Sequence, residues 1–136
     1  MNKEVRISAV IPLYNKADTI ERAVRSVRAQ TYPCLEIIIV NDGSTDNVDA
    51  VLRHICEQGD VKVVTQANAG VSAARNAGAG VARGEYVALL DADDYWYPNH
   101  LERMAAAIRK YGDVELFGGG YELQKFKHLY FTIQWP

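Results

Sequence analysis

Apolar residues follow two alternating patterns along this chain. Short continuous runs rich in valine and isoleucine predict buried strands at residues 5–11, 35–40, 61–65, 86–90 and 114–117. Apolar residues spaced three and four apart predict helices at residues 18–30, 48–59, 71–81 and 98–108. Asp18 followed by Glu21 predicts a capping box at the first helix, and Pro98 suits the first turn of the last helix.

The order of these elements predicts the fold class. Strands and helices alternate with short connections, which is typical of an α/β fold with a mainly parallel sheet flanked by helices. Parallel sheets of this kind bind ligands at the carboxyl ends of their strands. We therefore expect the loops after the first, second and fourth strands to meet at one edge of the sheet, and these loops are residues 12–16, 41–46 and 91–94.

Composition narrows the class of protein further. The 136 residues are 49% apolar and 24% charged, which excludes intrinsic disorder. A net charge of -2 argues against a protein that binds nucleic acid by releasing counterions. Cys34 and Cys56 have no zinc-site spacing, and no apolar run approaches the roughly 18 residues of a membrane span. We expect a single soluble, cytoplasmic domain with no nucleic-acid partner.

The most distinctive polar feature is an acidic cluster formed by Asp91, Asp93 and Asp94. Three carboxylates within four residues repel one another unless a cation lies between them. Mg²⁺ and Mn²⁺ prefer such oxygen ligands and are typically held by one or two carboxylates together with substrate phosphates. The alternative is a solvated acidic turn before the next helix. The position of the cluster directly after an apolar strand favours the metal site.

Three further residues have both a structural and a functional interpretation. Asp42 beside Gly43 suits an Asx turn, or a carboxylate that accepts hydrogen bonds from a base. Tyr14 at the end of a strand suits packing, or stacking on a flat ring. Arg75 suits a surface ion pair, or binding of a diphosphate, since a guanidinium matches phosphate oxygens.

Four sequence motifs in order carry a family resemblance. They are VIPLYN at residues 10–15, VNDGSTD at 40–46, NAGVSAARNAG at 68–78 and LDADD at 90–94. In their content, order and spacing they resemble the family 2 glycosyltransferases of the GT-A fold, which is a Rossmann-like, mainly parallel sheet flanked by helices. The resemblance covers residues 5–123.

The resemblance implies a reaction. A family 2 enzyme transfers a sugar from a nucleotide-diphosphate donor, here a UDP-sugar, to a glycan, lipid or polysaccharide acceptor. The transfer inverts the anomeric carbon and depends on Mn²⁺ or Mg²⁺. The alternative is a nucleotide-binding module that keeps the donor pocket without transferring sugar.

The resemblance also assigns residues to the nucleotide. Pro12 and Tyr14 are implied to line the nucleoside pocket. Asp42 resembles the carboxylate that binds the uracil ring, and Arg75 resembles the arginine near the nucleotide.

Asp91 and Asp93 resemble the D-x-D pair of the family. The first carboxylate is implied to lie near the ribose and a metal-bound water, and the second to bind the metal between diphosphate oxygens. The catalytic base of the family comes from the acceptor half, downstream of this pair. Asp113, Glu115 and Glu122 follow here without a recognisable base motif.

These implications predict how the chain is organised. Residues 1–123 are expected to form an incomplete donor-binding GT-A domain, truncated after its nucleotide-binding half. Residues 124–136, which include four aromatic side chains, are expected to form a strand that begins the acceptor half. An exposed aromatic tail of this kind also suggests self-association. Action on lipid-linked acceptors suggests a cytoplasmic protein, either free or peripheral at the inner face of the membrane.

Overall fold

The computed structural model describes residues 3–111, 116–118 and 131–134, the last two ranges as strand backbone. Within these residues, strands and helices alternate as the apolar pattern predicts. In chain order they are β1 (Ile7–Leu13), α1 (Ile20–Arg28), β2 (Glu36–Asp42), α2 (Val48–Cys56), β3 (Val61–Gln66), α3 (Val71–Val81), β4 (Tyr86–Leu89), α4 (His100–Tyr111), β5 (Leu116–Gly118) and β6 (Phe131–Gln134).

The strands form one sheet in the order β3-β2-β1-β4-β6-β5. β1 pairs in parallel with β2 and with β4, and β2 pairs in parallel with β3. β6 lies antiparallel between β4 and β5. The α/β class with a mainly parallel sheet is thus confirmed. The predicted fifth strand overlaps β5. Residues 131–134 of the aromatic tail form β6 within this same sheet, and the assignment of the tail to an acceptor half stays a prediction.

Helices cover both faces of the sheet because side chains of a strand alternate between faces. Ile7, Ala9 and Ile11 of β1 point to the face on which α1, α2 and α4 bury their apolar residues. Val10 points to the opposite face, where it packs with Ala74 and other apolar residues of α3 and the sheet. None of the helices within the described residues is long and apolar enough to cross a bilayer.

Two predicted helix starts are wrong in detail. The N-cap of α1 is Thr19, and no side chain caps it, so Asp18 and Glu21 form no capping box. The main-chain oxygen of Lys16 instead accepts hydrogen bonds from the backbone N–H groups of residues 19 and 20. Pro98 lies in the turn before α4, which begins at His100.

The strand order reverses between β1 and β4. The chain moves outward from β1 to β2 and β3, and α3 then carries it back to the other side of β1. The β1–β4 ladder ends at the pair Val10 and Leu89, whereas β1 stays paired with β2 as far as Leu13. Beyond Val10 the two strands separate and leave a crevice at their carboxyl ends, which is where open α/β sheets bind ligands.

Pro12 suits this separation. Alternate residues of a strand direct their backbone groups to the same neighbour, and the carbonyl of Val10 accepts a hydrogen bond from Leu90 on the β4 side. The nitrogen of Pro12 therefore faces the side where pairing with β4 has ended. Since proline has no N–H to donate, it fits at this position without loss of a ladder hydrogen bond.

Candidate functional site

The loops after β1 and β2 are held together by side-chain hydrogen bonds. Asn15 has a positive φ of 52°, a conformation that asparagine tolerates, and its Oδ1 accepts from the backbone N–H groups of Thr45 (2.7 Å) and Asp46 (3.2 Å). Its own N–H donates to Oγ of Ser44, and Oδ2 of Asp46 accepts from the N–H of Ala17. The sequence motifs contain these residues, but their linking role appears only in the structure.

Asp42 organises the loop after β3. It is 3% exposed, and its carboxylate accepts hydrogen bonds from Nε2 of Gln66 (2.8 Å) and from the backbone N–H groups of Ala69 (2.9 Å) and Gly70 (3.0 Å). The hydrogen bond from Gln66, followed by that from Ala69, lowers the pKa of Asp42 below its usual value. Asp42 is therefore ionised at neutral pH and positions the residues that precede α3.

Gly43 is required at this turn. Its φ is 71°, in the left-handed region that disfavours other residues. A Cβ at this position would also lie 2.7 Å from the backbone nitrogen of Asn68. The loops after β2 and β3 consequently approach each other closely beside Asp42.

Arg75 joins α3 to the acidic loop after β4. Its Nη2 donates to Oδ1 of Asp91 at 3.1 Å, and both side chains are partly exposed. Its Nε is buried and has no hydrogen-bond partner among the described residues. A buried N–H donor without an acceptor is costly, so this guanidinium is suited to an additional oxygen ligand.

Asp93 is contacted by two cations from the first third of the chain. Nζ of Lys16 lies 3.5 Å from Oδ2 of Asp93, and Nη2 of Arg22 donates to the main-chain oxygen of Asp93 at 2.7 Å. Lys16 and Arg75 thus place positive charge beside Asp93 and Asp91. Asp94 is buried, and its N–H donates to the main-chain oxygen of Asp91.

Asp91 and Asp93 suit a divalent cation that takes most of its ligands from elsewhere. Within residues 3–111, no three histidine, cysteine, aspartate or glutamate side chains come together as a metal cage. The carboxylates of Asp91 and Asp93 are 44% and 49% exposed, so both can accept a further cation. Two carboxylates are typical of a site that binds Mg²⁺ or Mn²⁺ together with phosphate oxygens of a ligand.

Pro12 and Tyr14, two residues apart at the end of β1, differ in their exposure to solvent. Pro12 is buried within β1. Tyr14 follows the strand directly and is 47% exposed, beside the linking residue Asn15. Of the two, Tyr14 therefore presents the ring that a planar ligand can contact.

A separate cleft of about 530 Å³ lies at the opposite edge of the sheet, near the amino ends of the strands. Arg28 and Asp60 in its wall form two hydrogen bonds of 2.7 and 2.8 Å, and Glu36 accepts hydrogen bonds from Ser8 and Arg83. Burial raises the pKa of the Cys34 thiol in the same wall to about 11. These groups hold elements of the fold together.

The fold and the carboxyl-edge loops define a class, namely an α/β protein whose loops after the parallel strands contain an exposed aromatic ring, an ionised aspartate and two exposed carboxylates, one of them paired with an arginine of α3. The family model described as "Glycosyl transferase family 2" matches residues 8–132. The chain therefore belongs to glycosyl transferase family 2, and the resemblance stated from its motifs is confirmed.

Relatives agree with this assignment. The chain is 47% identical over 105 residues to the uncharacterized glycosyltransferase YibD of Escherichia coli, a match that covers 76% of this chain and 30% of YibD. The chain thus spans about a third of the length of such relatives.

Solved structures share the fold. The structure of S. aureus TarS 1-349 in complex with UDP-GlcNAc is 28% identical, with a TM-score of 0.73 over 82% of this chain and 33% of that one. The mannosyltransferase PcManGT from Pyrobaculum calidifontis, in complex with GDP-Man and Mn²⁺, is 23% identical with a TM-score of 0.81 over 97% of this chain and 45% of that one. The GT-A architecture is thereby confirmed.

Proposed function

We propose that this chain binds a nucleotide-diphosphate sugar, with UDP as the nucleotide, at the carboxyl ends of β1 and β4. The proposal rests on one observation. The Arg75–Asp91 and Lys16–Asp93 ion pairs both lie at the carboxyl ends of β1 and β4, where these two strands separate. The similarity to TarS, whose structure contains UDP-GlcNAc, supports a uridine donor.

Each residue has a role in this proposal. Tyr14 stacks on the nucleoside beside Pro12, and the carboxylate of Asp42 accepts from the uracil ring. Three donors already occupy that carboxylate, which offers about four lone-pair sites, so it keeps about one for a ligand. Arg75 binds diphosphate oxygens through the donor that is unpartnered among the described residues.

Asp93, with Asp91 beside it, would hold Mn²⁺ or Mg²⁺. The metal would stabilise the negative charge that develops on the diphosphate leaving group. Asp91 also approaches the ribose. Lys16 keeps the carboxylate of Asp93 partly neutralised before the donor arrives, which limits repulsion between Asp93 and the incoming phosphates.

We propose further that the activity is inverting transfer of the sugar to a glycan, lipid-linked or polysaccharide acceptor. Inversion requires a base that takes the proton of the acceptor hydroxyl. Asp113, Glu115 and Glu122 lie outside the described residues. We also propose that the protein acts in the cytoplasm or at the inner face of the membrane. The aromatic tail proposed for self-association also lies largely outside the described residues.

The test of donor binding is a calorimetric titration of UDP with and without Mn²⁺. We expect Mn²⁺ to strengthen UDP binding to the parent chain and to have little effect on Asp93→Asn. Asp49→Asn provides the matched control, because Asp49 is an exposed aspartate in the first turn of α2. Equal metal dependence in the parent and in Asp93→Asn would refute the metal assignment.

The test of catalysis is release of UDP from several UDP-sugars, with and without sugar and lipid-linked acceptors. General base catalysis is worth about 10²–10⁴-fold. The rate of acceptor-dependent UDP release therefore shows whether residues 1–136 supply the base. Efficient acceptor-dependent release would show that residues 1–136 contain the base. Binding of UDP without any release would favour the alternative, a nucleotide-binding module.

A further inference from the structure

Three polar side chains form a stripe along one side of α1. Arg22, Ser26 and Gln30 are spaced four residues apart, which places them on one side of the helix and its continuation. Each of the three is hydrogen-bonded to main-chain groups of residues 93–101. We call these three residues the polar stripe.

The first two contacts lie nearest to the acidic loop. Nη2 of Arg22 donates to the main-chain oxygen of Asp93 at 2.7 Å, and its guanidinium lies 5.2 Å from the ring centre of Tyr95. Oγ of Ser26 donates to the main-chain oxygen of Ala23 at 2.7 Å and accepts from the N–H of Trp96 at 3.1 Å. The single proton of Ser26 is used on its own helix, which leaves its lone pairs for Trp96.

Gln30 contacts the segment at two points. Its Nε2 donates to the main-chain oxygen of Tyr97 at 2.7 Å and to that of Ser26 at 3.1 Å. Its Oε1 accepts from the N–H of Leu101 at 2.8 Å. Leu101 lies in the first turn of α4, where backbone N–H groups have no partner within the helix. Gln30, two residues beyond the end of α1, therefore caps α4.

The segment held in this way has no regular structure of its own. β4 ends at Leu89 and α4 begins at His100, so residues 90–99 belong to neither a strand nor a helix. Their backbone groups need other partners, and the polar stripe supplies several of them. The side chain of Asp93 extends from the same main chain whose oxygen Arg22 holds.

We propose that the polar stripe is a positioning element that holds the Asp91–Asp93 loop in its metal-binding arrangement before metal and nucleotide arrive. The inference rests on the proposed function, in which Asp93 binds the metal. A carboxylate held in place in advance loses less conformational freedom on binding. Release of the stripe should consequently weaken the metal-dependent part of UDP binding more than the metal-independent part.

The test uses single variants of the stripe and a matched control. Ser26→Ala and Arg22→Gln each remove one hydrogen bond to the segment, and Gln30→Ala removes two. Arg22→Lys keeps a donor for the oxygen of Asp93. Arg25→Gln is the control, because Arg25 is an exposed arginine on the same helix. Two properties are measured: hydrogen exchange of peptides that cover residues 91–101, and UDP affinity with and without Mn²⁺.

We expect faster exchange over residues 91–101 in Ser26→Ala and Gln30→Ala, since the N–H groups of Trp96 and Leu101 lose their acceptors. The gain in UDP affinity from Mn²⁺ should fall by about tenfold, as for other groups that orient a metal ligand. Metal-free UDP binding should change less than about twofold. Arg22→Lys should restore most of the gain that Arg22→Gln loses, and Arg25→Gln should match the parent.

Two results would overturn the inference. One is unchanged exchange over residues 91–101 in the stripe variants. The other is a metal-free affinity that falls in parallel with the metal-dependent affinity, which indicates a general loss of structure. A parent chain that shows no metal-dependent UDP binding would instead refute the proposed function, and the exchange comparison would still decide whether the stripe holds the loop.

Discussion

At the scale of single residues, Asp42 combines two tasks that the sequence presents as alternatives. Its carboxylate holds Gln66, Ala69 and Gly70, which is the structural role expected of a buried aspartate. The same bonds keep it charged and fixed at the edge of the crevice, which is what recognition of a base requires. A structural role for Asp42 therefore supports its proposed binding role.

Asp42→Ala should weaken UDP binding about tenfold or more, with or without Mn²⁺, because a hydrogen bond to a charged group is lost. Isothermal titration measures the effect. Gln66→Ala is the control, since it removes one loop hydrogen bond but leaves the carboxylate, and we expect a smaller loss. A loss for Asp42→Ala that is confined to Mn²⁺-containing buffer would show that Asp42 acts through the metal.

His100 should make the fold sensitive to mild acid. Burial, and secondarily the charge of Arg103, lowers the pKa of His100 from 6.5 to about 4. Between pH 6.5 and pH 4, His100 is therefore protonated in the unfolded chain but neutral in the folded chain. The free energy of unfolding consequently falls as the pH is lowered from 6.5 to 4. The full effect is about 3 kcal/mol.

Urea unfolding at a series of pH values measures this contribution. His100→Phe keeps a ring against Trp96, whose ring centre lies 4.8 Å from that of His100, and cannot titrate. The variant should lose less stability than the parent between pH 6.5 and pH 4. Identical pH dependence in the two proteins would contradict the assignment.

At the scale of elements, α3 packs closely on the sheet because it is rich in small residues. A Cβ at Gly78 would lie 2.4 Å from Cγ1 of Val10 and 3.1 Å from Cγ2 of Val40. Valine is stiff about χ1 and cannot move aside easily. Gly80 on the same helix is exposed, and a Cβ there would meet nothing within 4 Å.

Gly78→Ala should consequently destabilise the fold by about 1–3 kcal/mol, since overpacking outweighs the better helix propensity of alanine. Gly80→Ala should stabilise it by up to about 1 kcal/mol. Chemical denaturation of both variants gives the comparison. Stabilisation by Gly78→Ala would mean that α3 can move away from β1.

At the scale of the whole molecule, ionised carboxylates join elements that are distant in sequence. Burial opposes ionisation of Glu36, but hydrogen bonds from Arg83 and Ser8 outweigh it and lower its pKa. The hydrogen bond from Arg28 lowers the pKa of Asp60. A lowered pKa stabilises the fold above the unfolded values of 4.5 for glutamate and 3.8 for aspartate, and that stability is lost as the pH falls below them.

Glu36→Gln should therefore be less stable than the parent at pH 7, and the difference should shrink as the pH falls below the unfolded value of 4.5 and Glu36 takes up a proton. Thermal unfolding at pH 3, 5 and 7 provides the measurement. Glu4→Gln, at an exposed glutamate, should follow the parent throughout. A difference that is equal at pH 3 and pH 7 would show that the charge of Glu36 does not matter.

The local pattern of apolar and polar residues determined the secondary structure of this protein and the order of its elements. Runs of β-branched residues and apolar residues at helical spacing identify the strands, the helices and their order, because each pattern reflects the geometry of a single element. The alternation of elements also predicts that the loops containing Asp42 and Asp91 share one edge of the sheet. The four motifs were sufficient to indicate the family.

Contacts between distant segments were decided only by the tertiary structure. Lys16 and Arg22 meet Asp93 across more than seventy residues, and Gln30 caps α4 from just beyond the end of α1. β6 inserts between β4 and β5, an order that no local pattern specifies. Periodicity reports which side of an element is apolar, but not which polar groups will satisfy one another. Those pairings depend on how the completed elements pack, because each buried polar group takes the partner that packing brings within reach.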